Sequence, residues 1–197
     1  MQFISINMQI KSGTMKKYYK DYKLVSKTLP NGKVKRVTEY IGKYYTCCLS
    51  KTNLKRMKFY YLTLVLCSSA TAIGAGFINN LGSSIVYVAL PYVSLFLPIA
   101  YSLMGTIGFI NSNEKLTQAL YDKTKIRIRR ATIWQMLLSV VAILGDVFFI
   151  LFGVDKDLLQ EELAFLGCMI LVFLINVLFI KLQKRVVYQV EDPHYSD

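Results

Sequence analysis

The chain has 197 residues, of which 54% are hydrophobic and 18% are charged, and its formal net charge is +12. This composition is too apolar for an ordinary soluble domain, and the apolar residues occur in blocks instead of at regular spacing. A charge of +12 suggests nucleic acid, but the basic residues flank the apolar blocks, as expected for short loops on one side of a membrane. We therefore predict a membrane protein with no nucleic-acid partner.

Four apolar segments, residues 59–78, 84–110, 132–154 and 163–180, predict an all-α membrane protein with four transmembrane helices. At about 1.5 Å per residue each segment crosses a hydrocarbon core of about 30 Å, the last only just. Of the 24 Lys and Arg residues, all but Lys156 precede the first segment, lie between the second and third, or follow the fourth. This bias predicts that both termini are cytoplasmic.

The predicted location is the plasma (inner) membrane of a bacterium. Lys is far commoner than Arg, and Ile, Asn and Tyr are abundant. All of these residues have AT-rich codons, which favours a low-GC source. The chain divides into a cytoplasmic segment, residues 1–58, a membrane domain, residues 59–183, and a cytoplasmic tail, residues 184–197.

The N-terminal segment is basic and rich in Tyr, and Asn31-Gly32 lies between two runs of β-forming residues. An Asn-Gly pair in this setting is a strong signal for a β-hairpin, because both turn residues accept positive φ. We predict strands over about 20–28 and 33–41. A lone hairpin is marginal in water, so it must pack on the membrane surface, the other cytoplasmic loop or a partner. A cap on its own bundle and a lipid-binding surface are both possible roles.

A basic surface is predicted where the helices enter the membrane on the cytoplasmic side. It consists of Lys55, Arg56, Lys58, Arg127, Arg129 and Arg130. Basic residues near a bilayer surface attract anionic lipid head groups by about 1 kcal/mol each. We therefore expect the lipid bilayer and its anionic head groups to be partners.

The loop between the second and third segments, residues 111–131, has apolar residues at helical spacing. We predict a short surface helix that runs into the third membrane helix. Its apolar residues are expected to face the lipid boundary: Leu116, Ala119, Leu120 and Ile126.

Small residues recur at four-residue spacing in the first membrane segment. Ala70 and Gly74 form one pair, and Ala72 and Gly76 form another. Such pairs let two helix backbones approach closely in lipid. They predict a contact with the second helix or with a neighbouring subunit, and a pore lining is the alternative. The partner would be a second copy of the chain or another membrane protein.

The second segment contains Pro91 and Pro98, which lie seven residues apart and so on nearly one face of the helix. Each proline removes a backbone hydrogen bond and frees the carbonyl four residues earlier, at Tyr87 and Ser94. Two kinks on one face indicate either packing curvature or a hinge beside a cavity.

Asp146 is the candidate intramembrane polar site. A carboxylate at the centre of a bilayer costs about 2.5–3.5 kcal/mol on insertion scales. It must therefore face the bundle, be protonated or lie in a watered cavity. We expect its partners to be hydroxyl groups of the first two helices. A proton- or cation-handling role, an interhelical contact and an outer vestibule all remain open, and Asn176 lies too far toward the inner face to join it.

Catalytic patterns are missing from the predicted helices. They hold no His, no Gly-rich phosphate loop and no paired carboxylates, and the acidic run 155–162 is assigned to an external loop. We predict no catalytic, cofactor-binding or metal site. The favoured function is a non-enzymatic accessory or structural subunit of a larger membrane assembly. The alternative is a small oligomeric transporter or channel that uses Asp146 and the kinked second helix.

The topology is testable with reporter enzymes fused after Asn80 and after Lys156. Both fusions are expected to report the outside of the cell, because almost no basic residue lies on that side. A fusion at the C-terminus is the control and should report the cytoplasm. A cytoplasmic signal from either internal fusion would contradict the four-helix arrangement.

Overall fold

The computed structural model describes residues 18–28, 34–153 and 158–192, and within them the chain is mostly helical. The long helices in this part of the chain are α1 (Lys51–Ala75), α2 (Val86–Ile110), α3 (Gln118–Phe152) and α4 (Leu159–Arg185). The strands are β1 (Tyr22–Thr28), β2 (Val34–Tyr40), β3 (Tyr44–Cys47), β4 (Lys115–Thr117) and β5 (Tyr188–Glu191).

Among the described residues, three helices are long and apolar enough to cross a membrane: α2, α3 and α4. They correspond to the predicted segments 84–110, 132–154 and 163–180. The predicted segment 59–78 forms most of α1, which does not meet the same standard of apolarity. Its Tyr, Ser and Thr side chains lower the mean hydropathy, and its first two turns are polar and basic.

Helix α3 is longer than predicted at its start. Its first turn, Gln118–Tyr121, continues through a π-helical turn at Asp122–Ile126 into the long stretch Arg127–Phe152. Leu116 belongs to β4, where it is fully buried and lies opposite Tyr45 of β3. The prediction that Leu116 faces the lipid boundary is therefore wrong.

Strands β1 and β2 pair as an antiparallel hairpin, as predicted. The register runs from Tyr22 opposite Tyr40 to Thr28 opposite Val34. The predicted turn residues, 31–32, lie outside the described part of the chain.

The hairpin packs on the neighbouring strand β3 and on the start of α3 through Tyr40. The ring of Tyr40 contacts the ring of Tyr44 edge-on at 5.0 Å, and its hydroxyl accepts a hydrogen bond from Gln118 N at 3.0 Å. The same hydroxyl donates to Lys43 O at 2.9 Å. The hairpin thus contacts the segment between α2 and α3, which is one of the three contact surfaces predicted for it.

A three-stranded antiparallel sheet of order β4-β3-β5 joins three distant parts of the chain. Strand β3 precedes α1, β4 precedes α3, and β5 follows α4. Lys115 of β4 and Glu191 of β5 form an ion pair at 2.8 Å across β3. The sheet therefore gathers the start of α1, the start of α3 and the end of α4 at one end of the bundle, here called the sheet end. Within the predicted tail, residues 184–197, the strand β5 follows the end of α4.

The helices pack in the order expected for two antiparallel hairpins: α2 lies against α3, and α1 lies against α4 and α2. The buried apolar side chains form three layers along the bundle. The layer at the sheet end includes Met57, Tyr61, Phe109 and Phe179, the middle layer includes Ala72, Leu95, Ile99 and Val172, and the layer at the far end includes Ala75, Val88, Ala142, Phe165 and Met169.

The two pairs of small residues in α1 occupy different environments. Ala72 is fully buried, and its carbonyl accepts a hydrogen bond from Tyr92 Oη at 2.8 Å. A Cβ placed on Gly76 would lie 2.6 Å from the same Tyr92 Oη, so glycine is required for this approach of α2 to α1. Ala70 and Gly74 face away from the bundle. A Cβ placed on Gly74 would meet nothing within 4 Å. The contact with a neighbouring subunit and the pore lining both stay predictions for this pair.

Lys58 caps the end of α2. Its Nζ donates hydrogen bonds to Ile110 O at 3.0 Å and Ser112 O at 2.6 Å, where the helix leaves its last carbonyls without internal partners. Lys58 is therefore partly buried and bound within the chain, whereas Lys55 and Arg56 are exposed on the same helix. The basic surface that includes these three residues stays a prediction.

Replacing Lys58 tests this contact. Lys58→Met should lower the free energy of unfolding by about 1–3 kcal/mol, because it removes a charged donor from two carbonyls. Lys55→Met, the matched control, should change it by less than about 0.5 kcal/mol. Thermal unfolding in detergent compares the two variants, and equal effects would contradict the capping role.

Candidate functional site: a buried carboxyl pair

Asp146 lies on the interior face of α3 with 0% of its surface exposed. The interior face follows helical spacing, and its buried residues are Thr132, Gln135, Ser139, Ala142, Asp146 and Phe149. Asp146 is near the far end of the bundle, three residues before Phe149 and close to the turn that joins α1 to α2.

A second carboxylate, Glu162, is equally buried in the first turn of α4. The α1–α2 turn holds it with two hydrogen bonds. Asn80 Nδ2 donates to one carboxylate oxygen at 3.1 Å, and Gly82 N donates to the other at 2.9 Å. Glu162 is thus fixed by backbone and amide donors from the other helical hairpin.

The two carboxyl groups meet at Gly82. A Cβ placed on Gly82 would lie 2.6 Å from Glu162 Oε2 and 2.9 Å from Asp146 Oδ1. Asp146 and Glu162 are close enough to share a hydrogen bond when one of them carries a proton. Both carboxyl groups therefore occupy space that a side chain at position 82 would fill.

Asp146 receives no hydrogen bond from the described residues. Neither of its carboxylate oxygens has a hydrogen-bond partner among the described residues, and Asn80 Oδ1 is likewise buried without one. An unpaired buried charge is costly, and two carboxylates side by side cannot both ionise cheaply. The arrangement calls for a shared proton, or for a small cation between the oxygens of Asp146, Glu162 and Asn80.

The polar atoms at this site suit a proton or a hard cation. No group of three or more His, Cys, Asp or Glu side chains that could hold a metal ion exists in the described part of the chain. The available ligands are carboxylate and amide oxygens, which suit hard cations.

Asn176, the other predicted polar residue, belongs to a separate cluster. Its Nδ2 donates to Ser68 Oγ at 3.2 Å and to Val172 O at 2.8 Å. Gln135 accepts from Ser68 Oγ at 3.5 Å and donates to Pro98 O at 3.1 Å. The hydrogen bonds among these five residues link all four helices near the middle of the bundle.

An apolar layer separates this cluster from the carboxyl pair. Along α3, Ala142 lies between Asp146 and Ser139, and along α4, Phe165 and Met169 lie between Glu162 and Asn176. Phe165 and Met169 are fully buried. The two polar groups therefore do not form one continuous track in this conformation.

Helix α2 packs against α3 next to Asp146. Pro91 and Pro98 are both buried toward the bundle. Pro91 frees the carbonyl of Tyr87. A Cβ placed on Gly145 would lie 3.1 Å from that oxygen, so α3 approaches α2 closely at the residue before Asp146.

Two sequence predictions about the site are wrong. Paired carboxylates do lie within helices, because α4 begins before the predicted segment and includes Glu162. The hydroxyl partners predicted for Asp146 are not observed among the described residues. The burial of Glu162 could have been inferred from helical spacing. It lies on the same face of α4 as four other buried residues: Phe165, Met169, Val172 and Asn176.

A comparison with known proteins found no matching family model, no matching curated protein and no matching solved structure. The function must therefore be inferred from the geometry of the carboxyl pair and its surroundings.

The crowding at Gly82 can be tested by adding one methyl group. Gly82→Ala should lower the free energy of unfolding by about 1–3 kcal/mol, because the new carbon displaces both carboxylates. Gly167→Ala on α4 is the matched control, since a Cβ there meets nothing within 4 Å. The control should be neutral or slightly stabilising. Thermal unfolding in detergent is the measurement, and an unchanged Gly82→Ala protein would contradict the described packing.

Proposed function

We propose that this chain is a small multi-pass membrane transporter or channel that binds and moves a proton or a monovalent cation through Asp146 and Glu162. One observation carries the proposal: two carboxyl groups from different helices are fully buried side by side, and Asp146 has no hydrogen-bond donor among the described residues. A purely structural polar contact between helices would not require a second carboxylate, and its carboxyl group would be expected to have a hydrogen-bond donor.

Four membrane spans with both termini in the cytoplasm are part of the proposal. The three-stranded sheet supports this arrangement, because it holds β3, β4 and β5 at the same end. Helix α1 must then run the length of the bundle before α2 returns, although it is less apolar than the other three. The basic residues flank this sheet end, in keeping with a cytoplasmic location.

The positions of the polar groups support ion handling. Ionisable residues inside a bilayer are costly and typically mark ion or proton pathways. Here Asp146, Glu162 and Asn80 converge at one depth, from α3, α4 and the α1–α2 turn. Convergence of several polar groups at one depth is typical of transporter binding sites.

Movement through the bundle requires the apolar layer to open. Phe165, Met169 and Ala142 close the path from the carboxyl pair toward the sheet end. Pro91 and Pro98 both lie on the buried face of α2. Pro91 lies between Val88 and Tyr92, which belong to this layer, and Pro98 lies at the central polar cluster. We propose that α2 bends at these prolines to give access from the two sides in turn.

An accessory subunit of a larger membrane assembly is the second candidate. It is favoured by the sealed apolar layer and by the outward-facing Ala70 and Gly74, which another membrane helix, from a second copy or a different protein, would cover. In that case the carboxyl pair is a fixed hydrogen-bonded contact that holds the helices together. Neither candidate requires a catalytic residue or a cofactor.

Ion flux in proteoliposomes tests the proposal. Purified protein is reconstituted into vesicles that contain either a pH-sensitive or a Na⁺-sensitive dye, and a membrane potential is imposed in the presence or absence of Na⁺. Wild-type protein should move H⁺ or Na⁺ faster than empty vesicles. Asp146→Asn and Glu162→Gln should each abolish that flux while leaving folding nearly unchanged, because both keep the shape of the side chain but cannot ionise.

Glu114→Gln is the control, since Glu114 lies near the sheet and its exposed side chain pairs with Lys51 at 3.8 Å. This variant should keep wild-type flux. Absence of wild-type flux for both ions would overturn the transporter proposal and favour the accessory subunit. Asp146→Leu should then weaken the bundle by roughly 1 kcal/mol, the size of one interhelical hydrogen bond.

A further inference from the structure

We infer that a groove between α2 and α3 binds one anionic phospholipid, with its head group on basic residues of α3 and an acyl chain along the helix seam. The groove has a volume of about 880 Å³. The residues on which the inference depends are Leu97, Tyr101, Lys123, Arg127, Arg130 and Leu138. None of them belongs to the carboxyl pair, so the inference goes beyond the proposed function.

The end of the groove near the sheet is cationic. Lys123, Arg127 and Arg130 are spaced by four and three residues, which places them on one face of α3. The guanidinium of Arg127 lies over the ring of Tyr101 at 5.7 Å, which orients it at the wall of the groove. The acidic residue at this end, Asp122, accepts a hydrogen bond from Tyr18 at 2.5 Å.

The other end of the groove is apolar. Leu97 of α2 and Trp134 of α3 are 65% and 59% exposed, and Leu138 lies one further turn along α3. From Lys123 to Leu138 the helix advances about 22 Å, at about 1.5 Å per residue. The groove therefore runs from three cations at the membrane surface to an apolar wall inside the bilayer.

This division of charge matches the chemistry of an anionic phospholipid. A phosphate group fits the guanidinium groups of Arg127 and Arg130, which present planar sets of donors. A soluble phosphate would leave the apolar part of the groove uncovered, and a zwitterionic lipid brings no net charge. Lys55 and Arg56 are exposed cations on α1 that do not line the groove. Replacing them therefore measures the general attraction of lipid to a basic surface, as distinct from binding in the groove.

Lipid binding to the full-length protein tests the inference. Protein in detergent is titrated with phosphatidylglycerol or phosphatidylcholine, and bound lipid is counted by native mass spectrometry. One phosphatidylglycerol should bind more tightly than phosphatidylcholine. The double variant Arg127→Gln/Arg130→Gln should weaken that binding by about fivefold for each lost charge, about 25-fold in all. The matched control, Lys55→Gln/Arg56→Gln, should bind like the wild type.

Two further experiments test whether the acyl chain of the lipid binds in the apolar part of the groove. Leu97→Trp, which narrows the apolar end without changing charge, should weaken phosphatidylglycerol binding. Soluble glycerophosphate should not compete for the site. Equal binding of the two lipids, equal loss in both double variants, unchanged binding in Leu97→Trp, or competition by glycerophosphate would each overturn the inference.

Discussion

The pairing of β3 with β4 and β5 is the constraint on which the arrangement of the helices depends. Each strand is only three or four residues long, yet each adjoins the end of a different long helix. Because the pairing fixes those ends side by side, α1 and α2 must run away from the sheet and return, and α3 and α4 must do the same. The turn between α1 and α2 is then brought beside the start of α4, where Asn80 and Gly82 hold Glu162.

The sequence predicted the parts of this fold that follow from local chemistry. Blocks of apolar residues located α2, α3 and α4, and the Asn-Gly pair between β-forming runs located the hairpin. It did not predict the three-stranded sheet, because β4 and β5 are short and their partner in β3 is far away along the chain. Leu116 illustrates the difficulty: its helical spacing with Leu120 suggested a surface helix, whereas pairing with β3 determines its burial.

The candidate site shows a similar division. Asp146 stood out from the sequence because a charge in an apolar segment is costly, and the structure places it in the bundle interior. Glu162 did not stand out, since it adjoins an acidic loop and the apolar run begins just after it. Its burial depends on where α4 starts and on donors supplied by another hairpin. Such a start is set by tertiary contacts, which hydropathy alone does not reveal.

The order of the strands has a consequence for biosynthesis. Strands β3 and β4 leave the ribosome long before β5, which follows the last helix. Until α4 and β5 have been made, one edge of β3 has unpaired backbone groups, and such an edge is prone to pair with other chains. The arrival of β5 covers that edge. Pairing of β5 with β3 therefore completes the three-stranded sheet and also ends a period of exposure to aggregation during synthesis.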